Sequence, residues 1–188
     1  MKIIYEEKAF LEEASVAALG MFDGVHIGHQ ELIRNAVTLA RSLNARCVVC
    51  TFDRHPMTVL KPERAPKPLL TLDQNLIKFE RLGADYALVK AFTPEFAATE
   101  PEEYLRQLVK NMRVRAIVVG ENYTFGAGGR GDAELVRAMA NELGYRALVV
   151  APVMDGSVVA SSTYVRALLA TGKTAHAHRL LDIPETRG

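Results

Sequence analysis

Five short apolar runs, set apart by longer stretches with helical periodicity, constrain this chain more than any other feature. The runs are VAALG (16–20), CVVCTF (47–52), DYALVK (85–90), RAIVVG (115–120) and RALVVAP (146–152). Each is too short for a helix and apolar at successive positions, so both of its faces are to be buried, as in the interior of a parallel sheet. Between them, Glu31 to Leu43 places Leu32, Ile33, Ala36, Val37, Ala40 and Leu43 on one helical face. Leu72 to Leu82, Pro101 to Lys110 and Ala133 to Leu143 read as helices by the same test, and two shorter ones follow at Thr163 to Ala170 and Thr174 to Leu181. Pro101 fits the first turn of its helix, with Thr99 or Glu100 near the cap, and Gly83 and Gly144 fall just past helix ends. The alternation predicts an α/β fold, a parallel sheet with helices on both faces.

Composition narrows the function classes. At 188 residues the chain is read as a single domain large enough to bury a core unaided. A net charge of +1 gives no broad surface for nucleic acid. No apolar run reaches the 18 or so residues of a membrane span. The opening MKIIYEEKAFLEEA has acids where a signal peptide would be apolar, so the expected setting is cytoplasmic. The two cysteines, Cys47 and Cys50, sit three apart on a strand and point to opposite faces, which reads as free core thiols rather than a redox or zinc pair.

The chemistry concentrates in LGMFDGVHIGHQELIRNAVTLA, where a strand ending at Gly20 hands over to a helix beginning near His29 or Gln30. Gly20, Gly24 and Gly28 let the backbone approach a ligand closely. The helix N-terminus offers unpaired N–H groups to an anion, and His26 and His29 add imidazole donors. A phosphate site is the leading reading, a metal site and a purely structural pair the others. HEXXH is absent, and no carboxylates at zinc spacing accompany the histidines.

At these residues the chain resembles a known family. His26-Ile27-Gly28-His29 matches the H-x-G-H signature of the Rossmann-like, HIGH-type nucleotidylyltransferases. The longer G-x-F-D-G-V-H-x-G-H-Q is similar to the FAD synthetase (FMN adenylyltransferase) module of bacterial bifunctional riboflavin kinase/FAD synthetases. TFDRHPMTVL (51–60), VVGENYTFGAGGRGD (118–132) and ASSTYVRALLATG (160–172) resemble further segments of that module, in the same order. The resemblance implies transfer of AMP from ATP to FMN by direct in-line attack, giving FAD and pyrophosphate with Mg²⁺ on the phosphates. A sister transferase acting on another phosphate, or a flavin or nucleotide binder, is the alternative.

By the same resemblance His26 and His29 stabilise the transition state. Gly20, Phe22, Asp23, Gly24, Gly28, Ser162, Thr163 and Arg166 form the ATP site, although Ser161 to Thr163 also reads as a plain helix cap. Phe52, Asp53, His55, Pro56, Asn122 and Phe125 form the FMN site, partly on the irregular, proline-rich stretch from Asp53 to Leu70. No metal ligands and no oligomeric state follow. Arg54 stands where the family often has proline, and Tyr164 where it commonly has a basic residue. After LLDIPETRG, bifunctional members continue into a riboflavin kinase domain, so residues 1–188 are read as one nucleotidylyltransferase domain lacking riboflavin kinase activity.

Two patterns mislead. Gly126 to Gly131 spells G-x-G-x-x-G, but it lies six residues beyond the strand end at Gly120 with no strand-end acid about 20 residues on, so it reads as a mobile glycine loop beside the flavin site, with Arg130 reaching a phosphate, or as a plain surface turn before the helix at Asp132. His176 and His178, two apart on a short helix, read as solvated surface.

Overall fold

The computed structural model describes residues 1–5 and 10–183. β1 (Lys2–Ile4) and β2 (Ser15–Leu19) lead into α1 (Ile27–Ser42) and β3 (Arg46–Phe52). A one-turn α2 (Met57–Leu60) precedes α3 (Leu72–Arg81), β4 (Tyr86–Lys90) and a second one-turn helix, α4 (Pro94–Ala97). Then come α5 (Pro101–Met112), β5 (Val114–Gly120), α6 (Ala133–Ala138), α7 (Ala140–Leu143) and β6 (Arg146–Val150). A small hairpin of β7 (Met154–Asp155) and β8 (Val158–Val159) precedes α8 (Ser162–Ala170) and α9 (Thr174–Leu181).

Among the described residues, six strands pair in the order β1-β4-β3-β2-β5-β6, every neighbouring pair parallel. The five apolar runs are β2 to β6, as expected, with β2 to β5 inside the sheet and β6 at one edge. β2 is buried along its whole length, and its alternate residues serve two cores. Val16 and Ala18 face α1 and α3, packing with Ile33, Ala36 and Phe79. Ala17 and Leu19 face α5 and α6, packing with Leu105, Leu108 and Val136. A third cluster, Val165, Leu168, Ala177, Leu180 and Leu181, joins α8 to α9 beside Leu69.

The chain runs from β2 toward β3 and β4 on one side, and from β5 toward β6 on the other. The strand order therefore reverses between β2 and β5, and a crevice opens at their carboxyl ends. Several expectations need correction. α1 starts at Ile27, two or three residues early, because His26 takes the extended N-cap conformation. The helix expected over Ala133 to Leu143 is broken into α6 and α7 at Met139. Glu100, not Thr99, occupies the cap before Pro101, and without a side-chain bond. β1, α4 and the β7–β8 hairpin were not foreseen.

α3 is fixed at both ends of its polarity. Thr71 accepts from the Gln74 N–H and Gln74 answers at the Thr71 N–H, a reciprocal capping box (3.2 and 2.9 Å). Its fully buried Phe79 packs edge-on against Phe22, with 5.5 Å between ring centres. Phe79→Ala should therefore cost about 3–5 kcal/mol, against about 1 kcal/mol for Thr71→Ala, in urea unfolding followed by circular dichroism.

Candidate active site

The turn from β2 to α1 runs through left-handed backbone at Phe22 (φ 51°), Gly24 (φ 80°) and Val25 (φ 45°). Phe22 and Val25 are fully buried, and a bulky or β-branched residue in this region costs about 1–2 kcal/mol. Gly24 is confined from outside as well, since a β-carbon there would come within 2.8 Å of Leu181 and 3.0 Å of Leu69. Gly20 makes room for protein rather than ligand: a β-carbon would meet the Phe22 ring at 2.8 Å. The turn thus places His26 at the N-cap of α1 and His29 in its first turn.

The two imidazoles stack, 3.7 Å between centres and 25° between planes, and the Phe22 ring meets His29 edge-on at 5.2 Å. His26 is 5% exposed, and the buried Nδ1 of each histidine has no hydrogen-bond partner in the protein. Burial pushes His26 down to about 4, and burial together with the neighbouring His26 ring pushes His29 well below its ordinary range. Both rings are neutral at pH 7, each with one N–H to donate. Buried polar atoms without partners, beside the open N–H groups of a helix start, form a site that an anion completes.

This pair borders a cavity of about 420 Å³ in the crevice between β2 and β5. Gly20, Phe22, Gly28 and Ser162 of the expected ATP set line it, and the stretch from Val150 to Val153 at the end of β6 forms another part of its wall. Glu121 is the carboxylate on its lining. Asn122, expected at the FMN site, lines this cavity and is exposed.

A second cavity, about 190 Å³, shares Phe52, Pro56, Tyr123 and Thr124 with the first. Its wall is a chain of rings. Phe52 meets Phe92 at 5.1 Å, Phe92 meets Phe96 at 5.7 Å, Phe96 meets Tyr104 at 5.8 Å, and Phe125 stacks on Tyr123 at 5.5 Å. Burial raises both tyrosine phenols, so they stay protonated. Phe52, Pro56 and Phe125 were expected here. Phe92, Phe96, Tyr104 and Tyr123 were missed, although AFTPEF and NYTF carry them.

Other expected site residues are tied to protein groups. Asp23, 5% exposed, accepts from the Leu69 N–H (3.0 Å) and from the Arg166 guanidinium. Arg166 Nε donates to the Lys67 carbonyl (3.0 Å), and Ser162 Oγ donates to the Asp23 carbonyl (2.9 Å). Ser161 caps α8, accepting from the Tyr164 N–H, and Thr163 is exposed and not among the residues that line the cavity. Asp53 accepts from the Phe92 N–H (2.9 Å) and pairs with the adjacent, exposed Arg54 (2.7 Å). His55 Nδ1 accepts from the Met57 N–H (3.1 Å) and so starts α2.

Three further readings change. The glycine loop is pinned, by paired bonds between Phe125 and Gly131 and by the Ala127 N–H on the Thr99 carbonyl (2.8 Å), and Arg130 is held by Glu100 rather than directed at a phosphate. His176 is half-buried, with Nε2 2.6 Å from Asp155 Oδ2, the oxygen to which the Tyr164 hydroxyl donates (3.1 Å). Tyr164 thus ties α8 to Asp155 in the β7–β8 hairpin. Cys47 and Cys50 are free and buried as expected, and burial raises the Cys47 thiol to about 12. Among the described residues no three His, Cys, Asp or Glu side chains group as metal ligands, and no helix is long and apolar enough to cross a membrane.

Comparison with known proteins agrees with this geometry. The family model for FAD synthetase matches residues 9–164. The bifunctional riboflavin kinase/FMN adenylyltransferase of Escherichia coli K12 is 34% identical over 174 residues, covering 92% of this chain and 56% of that one. A putative protein of the same description from Geobacillus thermodenitrificans is 32% identical over 184 residues and covers 98% of both chains. The chain spans about half the length of the Escherichia coli relative. A solved structure described as a macrolide-efflux protein from Streptococcus pneumoniae superposes with a TM-score of 0.88 at 30% identity, over 98% of this chain and 61% of that one.

The lowered histidine has a measurable sign. An unfolded histidine takes up a proton near pH 6.5, whereas folded His26 waits until about 4, so its burial costs stability as pH falls through that window. The gap is worth about 3 kcal/mol. In the ligand-free protein the His26 ring proton resonance should titrate near 4, and His26→Asn should lose less stability than wild type between pH 7 and pH 4.

Proposed function

We propose, from the premise that this chain belongs to the FAD synthetase family, that it transfers AMP from ATP to FMN to give FAD and pyrophosphate. The observation that carries this reading is the shared wall of the two cavities. A flat tricyclic ring suits the aromatic one, and Phe52, Pro56, Tyr123 and Thr124 then lead its phosphate into the cavity that holds the histidines. The nucleotide fits the larger cavity with its base along Val150 to Val153 and its phosphates at the start of α1.

In the reaction, an FMN phosphate oxygen bonds to the α-phosphorus of ATP. The bond from that phosphorus to the bridging oxygen breaks opposite, and pyrophosphate leaves with the electron pair. No side chain has to serve as nucleophile or base. The protein's part is to align the two phosphates and to meet the charge that gathers on their oxygens. Neutral His26 and His29 do so with N–H donors, joined by the first N–H groups of α1. Mg²⁺ would arrive with the nucleotide and would supply positive charge to its phosphates, and Glu121, the carboxylate on the cavity lining, is the residue that would help hold it. The buried free thiols suit the reducing cytoplasm in which such an ATP-dependent reaction runs.

Purified protein with FMN, ATP and Mg²⁺ should form FAD and pyrophosphate, read out by chromatography. His29→Ala should lower kcat by roughly 100- to 1,000-fold, the usual cost of removing a donor to developing phosphoryl charge. Phe96→Ala should raise KM for FMN by roughly tenfold, the worth of one ring contact, and leave KM for ATP unchanged. ATP and FMN binding without FAD would instead leave the chain a binder.

A further inference from the structure

The left-handed turn leaves one question, namely what holds it. Val25 is β-branched, fully buried and at φ 45°, and the residue that follows it is His26. Backbone of this kind persists only where its surroundings over-determine it.

Gln30 supplies the constraint. Its side chain is 4% exposed and reaches back across the turn, where Nε2 donates to the Val25 carbonyl at 3.0 Å. Its own backbone N–H donates to the His26 carbonyl at 2.9 Å. The peptide planes before and after His26 are therefore both tied to the same residue. The outer end of the clamp is set by Arg34, one helical turn on, whose guanidinium donates to Gln30 Oε1 at 3.1 Å and so fixes which end of the amide faces Val25.

We propose that Gln30 is a positioning residue for the adenylyl transfer: by clamping the carbonyls on either side of His26 it fixes that backbone and keeps the two histidine rings stacked toward the phosphates. The inference rests on the reaction proposed above. Gln30 itself touches no substrate and lines neither cavity. It acts through the Val25–His26 peptide, on a histidine whose displacement by a fraction of an ångström misaligns its donor.

Gln30→Met keeps the length and bulk of the side chain and removes the donor. Its kcat for FAD formation is expected to fall by roughly 10- to 100-fold, with KM for ATP and FMN within about twofold of wild type. In the same variant, free of ligand, the His26 ring should titrate above the wild-type midpoint, because a loosened ring regains water. Unchanged kcat, or a loss that appears as raised KM, overturns the proposal. If wild type makes no FAD, the reaction above fails, and the ligand-free titration still decides the role of Gln30: a His26 midpoint identical in the two proteins refutes it. Should Gln30→Met not fold, the exposed Arg34→Met removes only the outer hydrogen bond. A several-fold drop in kcat at constant KM then supports the clamp, and wild-type kinetics refute it.

Discussion

A carboxylate taken out of water has to be paired, and the site of this protein is assembled around one that is. Asp23 is nearly inaccessible, and its partner Arg166 comes from α8, at the other end of the chain. Leaving either charge without the other would cost about 3–5 kcal/mol. The pair consequently fixes more than itself. Through Leu69 and Lys67 it draws in the end of the proline-rich segment, and through Ser162 it sets the start of α8 against the turn that carries His26. The floor and one wall of the larger cavity keep their spacing because this ion pair cannot come apart cheaply. An arginine expected to meet phosphate is, in the free protein, the counter-ion of the turn.

How much of this the sequence discloses depends on how local the cause is. Strands buried on both faces announce themselves, since VAALG and RAIVVG have no polar side to confuse with a helix. β1 does not, being three residues at the sheet edge whose only sheet partner, β4, lies more than 80 positions away. The start of α1 was misplaced because Ile27 and Gly28 are poor helix formers, held in the helix by the turn before them rather than by their own propensity. The break at Met139 and the two-residue strands of the hairpin leave no periodic trace at all.

The same distinction separates the two halves of the site. His26 and His29 were legible because strand end, turn and helix start lie within a dozen residues. The aromatic cavity was legible only through Phe52, Pro56 and Phe125, since Phe92, Phe96, Tyr104 and Tyr123 come from further segments that the parallel sheet brings together. Each ring alone reads as ordinary core. What sets them apart is that they border a space left open, and emptiness has no sequence signature. Asp23 and Arg166 were expected at the ATP site by likeness, but their attachment to each other, across 143 positions, required the fold.

That separation also orders events during synthesis. A ribosome adding about 5–20 residues per second takes roughly 7–30 s to move from Asp23 to Arg166. During that interval the ribosome makes β3 to β6, while the Asp23 carboxylate, just beyond β2, has not yet met the Arg166 guanidinium and stays in water. The turn can therefore close only after the strands of the sheet have been made, and the larger cavity is completed later than the sheet that borders it.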